Sequence, residues 1–482
     1  MKVDTATRSL RWPVLIDVTW ALDALRPRVL ALCCLFVCLS WPTTSVATDP
    51  AMAGAMNAVS LQYANEQVEQ AEKELAAGRY DAALSCLDAA VQSMPWTVIS
   101  KDRGAEVYYL RGECLRKTWW LNRAVTDLDQ AIRLHPQNAR ALFSRGVIRE
   151  YRDFWDEAVA DYDAAVRFDP NLALPYVYRG GVHWKRGQFD QATADLNRGV
   201  ELCSARLQAH PDDFQAYRAR ALAYRTLRQY DRALLDYGQM IRIRPHSIEA
   251  YVERGRTYAK SKDKAASVAD FDRAIELATV AIERRPGEAH AYRLRTEAYD
   301  AKAFAWEQPD DFRRAAADLD TLVRLMPGCS TVYFRRGHVH AGASHFAPDE
   351  PTSAAHFEQA NSDLSEVIRL DRSLAAAWNE RGLLFTRAAL RSHRPELAWR
   401  GVADLTEAIR LAPKAARIYC VRGGAYGLAG SYDRALADFS EAIRLCPEMA
   451  DAYELRGGLN EALGNKDAAT ADVARAQELR TR

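Results

Sequence analysis

The sequence predicts an all-α solenoid, a stack of about eleven helical hairpins with no separate globular domain. Three observations predict it. The dipeptide Arg-Gly returns as Arg111-Gly112, Arg145-Gly146, Arg179-Gly180, Arg254-Gly255, Arg336-Gly337, Arg381-Gly382, Arg422-Gly423 and Arg456-Gly457, with Arg220-Ala221 and Arg295-Thr296 in the two gaps. Successive marks lie 34, 41 or 45 residues apart, and a fixed period near 34 means stacked helix pairs. Each period also carries two runs of apolar residues at steps of three and four, which is one face of a helix repeated twice.

Eleven units follow, beginning near Ala64, Ala105, Ala139, Ala173, Phe214, Ile248, Ala289, Ser330, Ala375, Ala416 and Ala450. They are numbered 1 to 11 below, with the Gly of the mark at position 8. The third is the cleanest. Leu142, Arg145 and Gly146 sit on its first helix, and Ala158, Tyr162, Ala165 and Phe168 on its second. Pro170 cannot continue that helix, so the chain turns there. Gly at position 8 and Ala at position 20 let two backbones approach, and a larger side chain would overpack the crossing by about 1–3 kcal/mol. Unit 1 is degenerate in its first helix and reads mainly from Gly78-Arg79-Tyr80-Asp81 onward.

The longer spacings mostly add seven residues, nearly two helical turns, which leaves a buried face in phase. Two of these additions extend second helices, before Pro211 and Pro286. Two more fall between the helices of a unit, around 304–311 and 388–396. The largest, around 342–353, carries Pro348 and Pro351 and reads as a loop.

Eight positions recur together: an aromatic at 4, Arg at 7, Gly at 8, Tyr at 11, Ala at 20, Phe or a similar residue at 24, Ala at 27 and Pro at 32. This pattern resembles the tetratricopeptide repeat (TPR) family from Ala64 to Arg482, with Arg at 7 in place of the family's usual Leu. The resemblance implies a right-handed superhelical α-solenoid that binds a protein or peptide in its concave groove. In the family that groove is lined by positions 2, 5, 9, 12 and 13. Here those positions and their neighbours offer Tyr109, Phe143, Tyr151 and Trp184, with Lys117 and Lys185 nearby. Aromatics beside cations would suit an extended peptide. The competing reading is that these rings pack between neighbouring first helices. The Lys-and-Asn carboxylate clamp of chaperone-binding relatives is not matched, since position 9 lacks Asn.

Arg at position 7 has a recurrent companion, Asp at position 23. Arg145 with Asp161, Arg179 with Asp195 and Arg254 with Asp270 are examples. A charged ladder of this kind either grips a ligand or ties helices together. Residues repeated in every unit serve what every unit must do, namely stack, so structural ion pairs are expected.

The chain is 49% hydrophobic and 27% charged, with a net charge of +1. It therefore lacks the basic bias of a nucleic-acid binder, and no nucleic-acid partner is expected. No nucleophile elbow, phosphate loop or acid–base–nucleophile set occurs, so no catalytic residue, enzyme activity or cofactor is expected. Residues 29–41, VLALCCLFVCLSW, follow Arg26 and Arg28 and are short for a membrane span. Ser45-Val46-Ala47 then offers small residues for cleavage before Thr48. Residues 1–47 are expected to be a secretory signal, 48–63 a lead and 64–482 the solenoid. The expected location is exported, periplasmic or extracellular, with membrane contact only if the segment stays uncleaved as an anchor.

Six cysteines lie beyond that segment with no C-x-x-C pair, and only Cys420 and Cys446 share a unit. Buried thiols acting as small apolar groups are expected. His338, His340, His345 and His356 crowd near Asp349 and Glu350. Imidazole and carboxylate together could hold Zn²⁺, so a metal-dependent function at 338–356 is the alternative reading. Against it, His338 and His340 are two apart on a helix and do not face the same way. No residue is expected to be a metal ligand.

Overall fold

The computed structural model describes residues 50–96, 99–347 and 349–481. Among the described residues there are 22 helices and no strand, arranged as eleven antiparallel pairs. Unit 3 shows why. Its first helix, Ala139–Tyr151, starts where the Asn138 side chain accepts from the Ala141 N–H at 3.0 Å, a side-chain cap on an otherwise unpaired donor. Its second helix, Trp155–Phe168, buries Ala158, Tyr162 and Ala165 against Leu142, Phe143 and Val182 of unit 4. A methyl on Gly146 would lie 2.6 Å from the Tyr162 ring.

Each Arg at position 7 holds the Asp at position 23 of its own unit with two N–H donors. Arg145 reaches Asp161 at 3.0 and 2.6 Å, Arg179 reaches Asp195 at 2.7 and 2.6 Å, and Arg254 reaches Asp270 at 2.7 Å twice. This is the two-pronged carboxylate geometry that Arg suits and Lys does not. A third donor reaches back to position 25 of the preceding unit. Asp88, Asp129, Asp163, Ser204, Thr279, Asp320, Ser365, Thr406 and Ser440 receive it at 2.5 to 3.2 Å. Arg254 alone has no such acceptor, because Gly238 stands there. The aromatic at position 4 covers the guanidinium, as Tyr176 covers Arg179 at 5.5 Å and Trp378 covers Arg381 at 5.3 Å. One Arg thus ties two helices of its own unit to the unit before.

The added residues are helical. The second helices of units 4 and 6, Phe189–Ala209 and Lys264–Arg284, each run 21 residues. In units 7 and 9 the addition is shared between the first helices, Ala289–Trp306 and Ala375–Ser392, and the second, Pro309–Leu325 and Pro395–Leu411. The insertion of unit 8, expected as a loop, is different. Ser330–His345 and Glu350–Leu370 absorb nearly all of it. Pro351 lies in the first turn of the second of these helices, where a missing N–H costs nothing. At the N-terminus, Pro50–Ala76 is one helix of 27 residues, so residues 50–63 belong to the first helix of unit 1. The proposed signal at 1–47 lies outside the described residues. No described helix is long and apolar enough to cross a membrane.

The stack winds until it meets itself. The Tyr80 ring lies 4.7 Å from that of His290, whose backbone N–H donates to Asp81 at 3.2 Å. Trp119 enters the core of units 7 and 8 beside Phe312, Met326 and Cys329. The Cys329 thiol donates to the Trp119 carbonyl at 3.3 Å. Arg293 and Arg335 lie 5.6 and 5.4 Å from the Trp119 ring. Arg152 pairs with Asp371 at 3.4 Å, Asp156 with Lys414 at 2.8 Å, and Gly187 abuts Cys446. The hairpin tips of units 1–4 therefore rest on the turns between units 6 and 11. Trp119 holds φ +69° to do so, a left-handed conformation that bulky side chains rarely adopt.

Candidate interaction surfaces

First helices line the inside of the spiral, and their charges face one another. Lys117 of unit 2 reaches Glu249 of unit 6 at 3.4 Å, and Arg218 approaches the same oxygen at 3.8 Å. Glu113 accepts from Arg116 and, at 2.9 Å, from the Ser144 hydroxyl. Glu253 accepts from Arg225 and, at 2.6 Å, from Arg256. Burial opposes the charge on Glu113, but Arg116 and Lys117 overcome it and hold the carboxyl down to about 2. Glu253 is held to about 2 against the same burial by Arg225 and Arg256. Glu249 favours the charged form of Lys117, yet burial, Arg218 and Arg116 bring its ammonium down to about 8. The inner wall of the first coil thus neutralises itself.

The four aromatics named from the sequence occupy different settings. Tyr109 is half-buried beside Glu113, and burial pushes its phenol up. Phe143 is buried between units 3 and 4, with its ring 5.2 Å from Tyr178 and 6.0 Å from Tyr162. Tyr151 faces the following coil, 6.3 Å from Phe334 and 5.7 Å from Arg335. Trp184 meets Phe189 edge-on at 5.0 Å and packs against Val177, Leu196 and Ala223. Lys185 pairs with Glu150 at 2.8 Å.

The four histidines do not converge. His338 meets Glu380 of unit 9 at 2.9 Å; burial disfavours its charge, but that carboxylate raises its pKa above the ordinary value. His340 lies nitrogen to nitrogen with His356 at 3.1 Å, one ring donating to the other, and burial together with His356 takes His340 down to about 4. His345 is exposed at the hairpin tip against Phe346. Among the described residues no three His, Cys, Asp or Glu side chains converge as a metal site would require. Cys420 lies 3.6 Å from the Met449 sulfur, Cys446 lies beside Gly187, and both thiols are free.

The two extended hairpins of units 8 and 9 enclose a cleft of about 390 Å³. Phe357, Leu384 and Leu397 contribute apolar walls, and Arg387, Arg391 and Arg400 line it with Glu350, Glu358 and Glu396. Arg391 donates to the Ser344 and His345 carbonyls at 2.8 Å each, capping a helix end. Arg400 lies over Phe385 at 5.8 Å. Among the described residues neither Arg387 nor Arg400 has a carboxylate within ion-pair distance. Sequence spacing located the two insertions, but not that their helices would lie side by side.

Models of the tetratricopeptide repeat match residues 121–173, 179–248, 387–448 and 422–481, and a second such model matches 248–279. The chain belongs to the tetratricopeptide repeat family. Among solved structures this TPR chain is similar to MamA, at 20% identity and a TM-score of 0.30, over 36% of this chain and 90% of that one. It is also similar to yeast Tom70, at 14% identity and a TM-score of 0.36, over 87% of this chain and 99% of that one. No curated protein matches it in sequence. TPR arrays hold protein partners, and a protein-interaction scaffold is the role this TPR chain supports.

Proposed function

We propose that the chain is an exported TPR scaffold that holds a protein or peptide partner. The rings of Tyr109 and Trp184 on the first helices and the cleft of units 8 and 9 supply the contact, while Tyr151 is taken up by the contact with the following coil. The cleft carries this reading. It joins an apolar wall to Arg387 and Arg400, neither of which has a carboxylate within ion-pair distance among the described residues, and so suits a segment bearing both an apolar side chain and a carboxylate. The self-neutralised first coil gives the spiral a rigid frame on which that segment is presented. Export rests on the apolar run at 29–41 and the small residues before Thr48.

Two measurements test the proposal. Amino-terminal sequencing of protein purified from its native cells should read from Thr48; a chain beginning at Met1 sinks the cleaved signal. Affinity capture from native envelope extracts should recover one partner, and Arg387→Ala with Arg400→Ala should reduce its recovery at least about tenfold, the loss of roughly 1.4 kcal/mol. If recovery is untouched by those changes and by Tyr109→Ala with Trp184→Ala, neither surface is the binding site.

A further inference from the structure

The contact between coils joins two unlike edges. Hairpin tips lie on one side and the turns between units on the other. Because the tip of unit 1 meets the junction of units 6 and 7, the tips of units 9–11 extend beyond the last coil. The turns of the first units likewise have no coil above them.

The free tips carry apolar side chains at the contact positions. Leu428 and Tyr432 of unit 10 stand at positions 13 and 17 and are 37% and 45% exposed; Leu463 of unit 11 stands at position 14 and is 40% exposed. One turn earlier, position 13 is Tyr151 against Phe334, position 14 is Arg152 against Asp371, and position 17 is Tyr80 against His290. Position 17 of unit 3, Trp155, lines a crevice whose opposite wall is Leu411 at position 30 of unit 9. The free edge of the first coil carries Phe168 at position 30 of unit 3, 38% exposed. A lone exposed apolar residue needs no explanation. A matched set at the positions that meet inside the same chain does.

We propose that a second copy of this chain occupies the vacant edge. The tips around Leu428, Tyr432 and Leu463 of one molecule rest on the turns around Phe168 of the next and repeat the contact made within each molecule. The two edges differ, so each copy offers one of each. Such a head-to-tail contact does not close at two and adds copies along the spiral axis. Exposed apolar groups then lose water on both sides of every joint.

Size-exclusion chromatography with light scattering, over about 1 to 100 μM, should show a mass that rises past the dimer. Leu428→Glu with Tyr432→Glu blocks the tips, and Phe168→Glu blocks the turns. Each variant alone should remain monomeric with an unchanged circular-dichroism spectrum. Mixed in equal amounts they should form a one-to-one dimer that grows no further, since one intact edge of each kind remains. A wild-type monomer at every concentration overturns the proposal. So does a dimer that survives both blocks, or a mixture that stays monomeric.

Discussion

The Arg145–Asp161 pair and the Trp119 contact both hold helices together, yet they are built in opposite ways. The first recurs with the same atoms at nearly the same distances in ten units, 2.6 to 3.0 Å from Arg111–Asp127 to Arg456–Asp472. The second occurs once. Its neighbours along the coil contact are a Tyr against a His, an Arg against an Asp and a Lys against an Asp. Repeated contacts fix how one unit sits on the next. Unrepeated contacts fix how far the accumulated rotation carries the chain before it touches itself. The stack is encoded redundantly, whereas the pitch depends on a few residues.

Trp119→Ala should therefore produce the largest change. It removes a ring only 7% exposed and uncovers Arg293 and Arg335, at about 3–5 kcal/mol. The units should stay helical while the coils part, so denaturant unfolding should split into two transitions and solution scattering should report a longer particle. One cooperative transition at unchanged midpoint would show that the ring does not set the pitch.

Asp161→Ala should come next, about 3 kcal/mol, because it removes the two-pronged partner of Arg145, leaving it only Asp129, and takes the carboxylate from Arg149 in a partly buried setting. Its effect should be local, read as faster amide exchange in units 2 to 4 without separation of the coils. Arg145→Lys with Asp161 intact should cost less than Asp161→Ala but still destabilise, since Lys cannot make the two-pronged bond.

Acid gives a third separation. The pKa of Glu113, about 2, lies below its unfolded value. The stability it contributes is thus complete above roughly pH 4.5 and is lost as pH falls toward 2. Glu253 titrates in the same window. Scattering between pH 6 and 2 should show the inner wall loosening over that interval, before the helical signal at 222 nm (a general marker of helix) declines. Simultaneous loss of both would mean that the axial charges do not act separately from the stack.

The repeat was legible because its constraints are local. A close crossing needs Gly at position 8, and a turn needs Pro near position 32. The Arg and Asp positions recur in phase with them. The third tether was also written there, since position 25 is Asp, Ser or Thr in nine units, but an acceptor on an exposed helix face looks like ordinary polar surface. The helical insertion of unit 8 was misread because its prolines suggested a break, while both helices had room to start and stop around them. The coil contact was the hardest to see. Pitch is the sum of small rotations and belongs to no single motif. One trace remained: Trp119 occupies the left-handed turn position where Gly187, Gly430 and Gly464 stand in other units.

The smallest expected effect is a gain. Gly238→Ser places an acceptor opposite Arg254 and removes a glycine from a helix interior where nothing lies within 4 Å. It should stabilise by about 0.5–1 kcal/mol, seen as a higher midpoint with an unchanged slope.

That missing acceptor has a mechanical consequence. A spiral of this kind is a spring, and a spring under load opens at its slackest winding. The joint between units 5 and 6 lacks the one Arg tether that crosses each of the others, since both Arg254 bonds stay within unit 6, so tension applied at the two ends concentrates strain there.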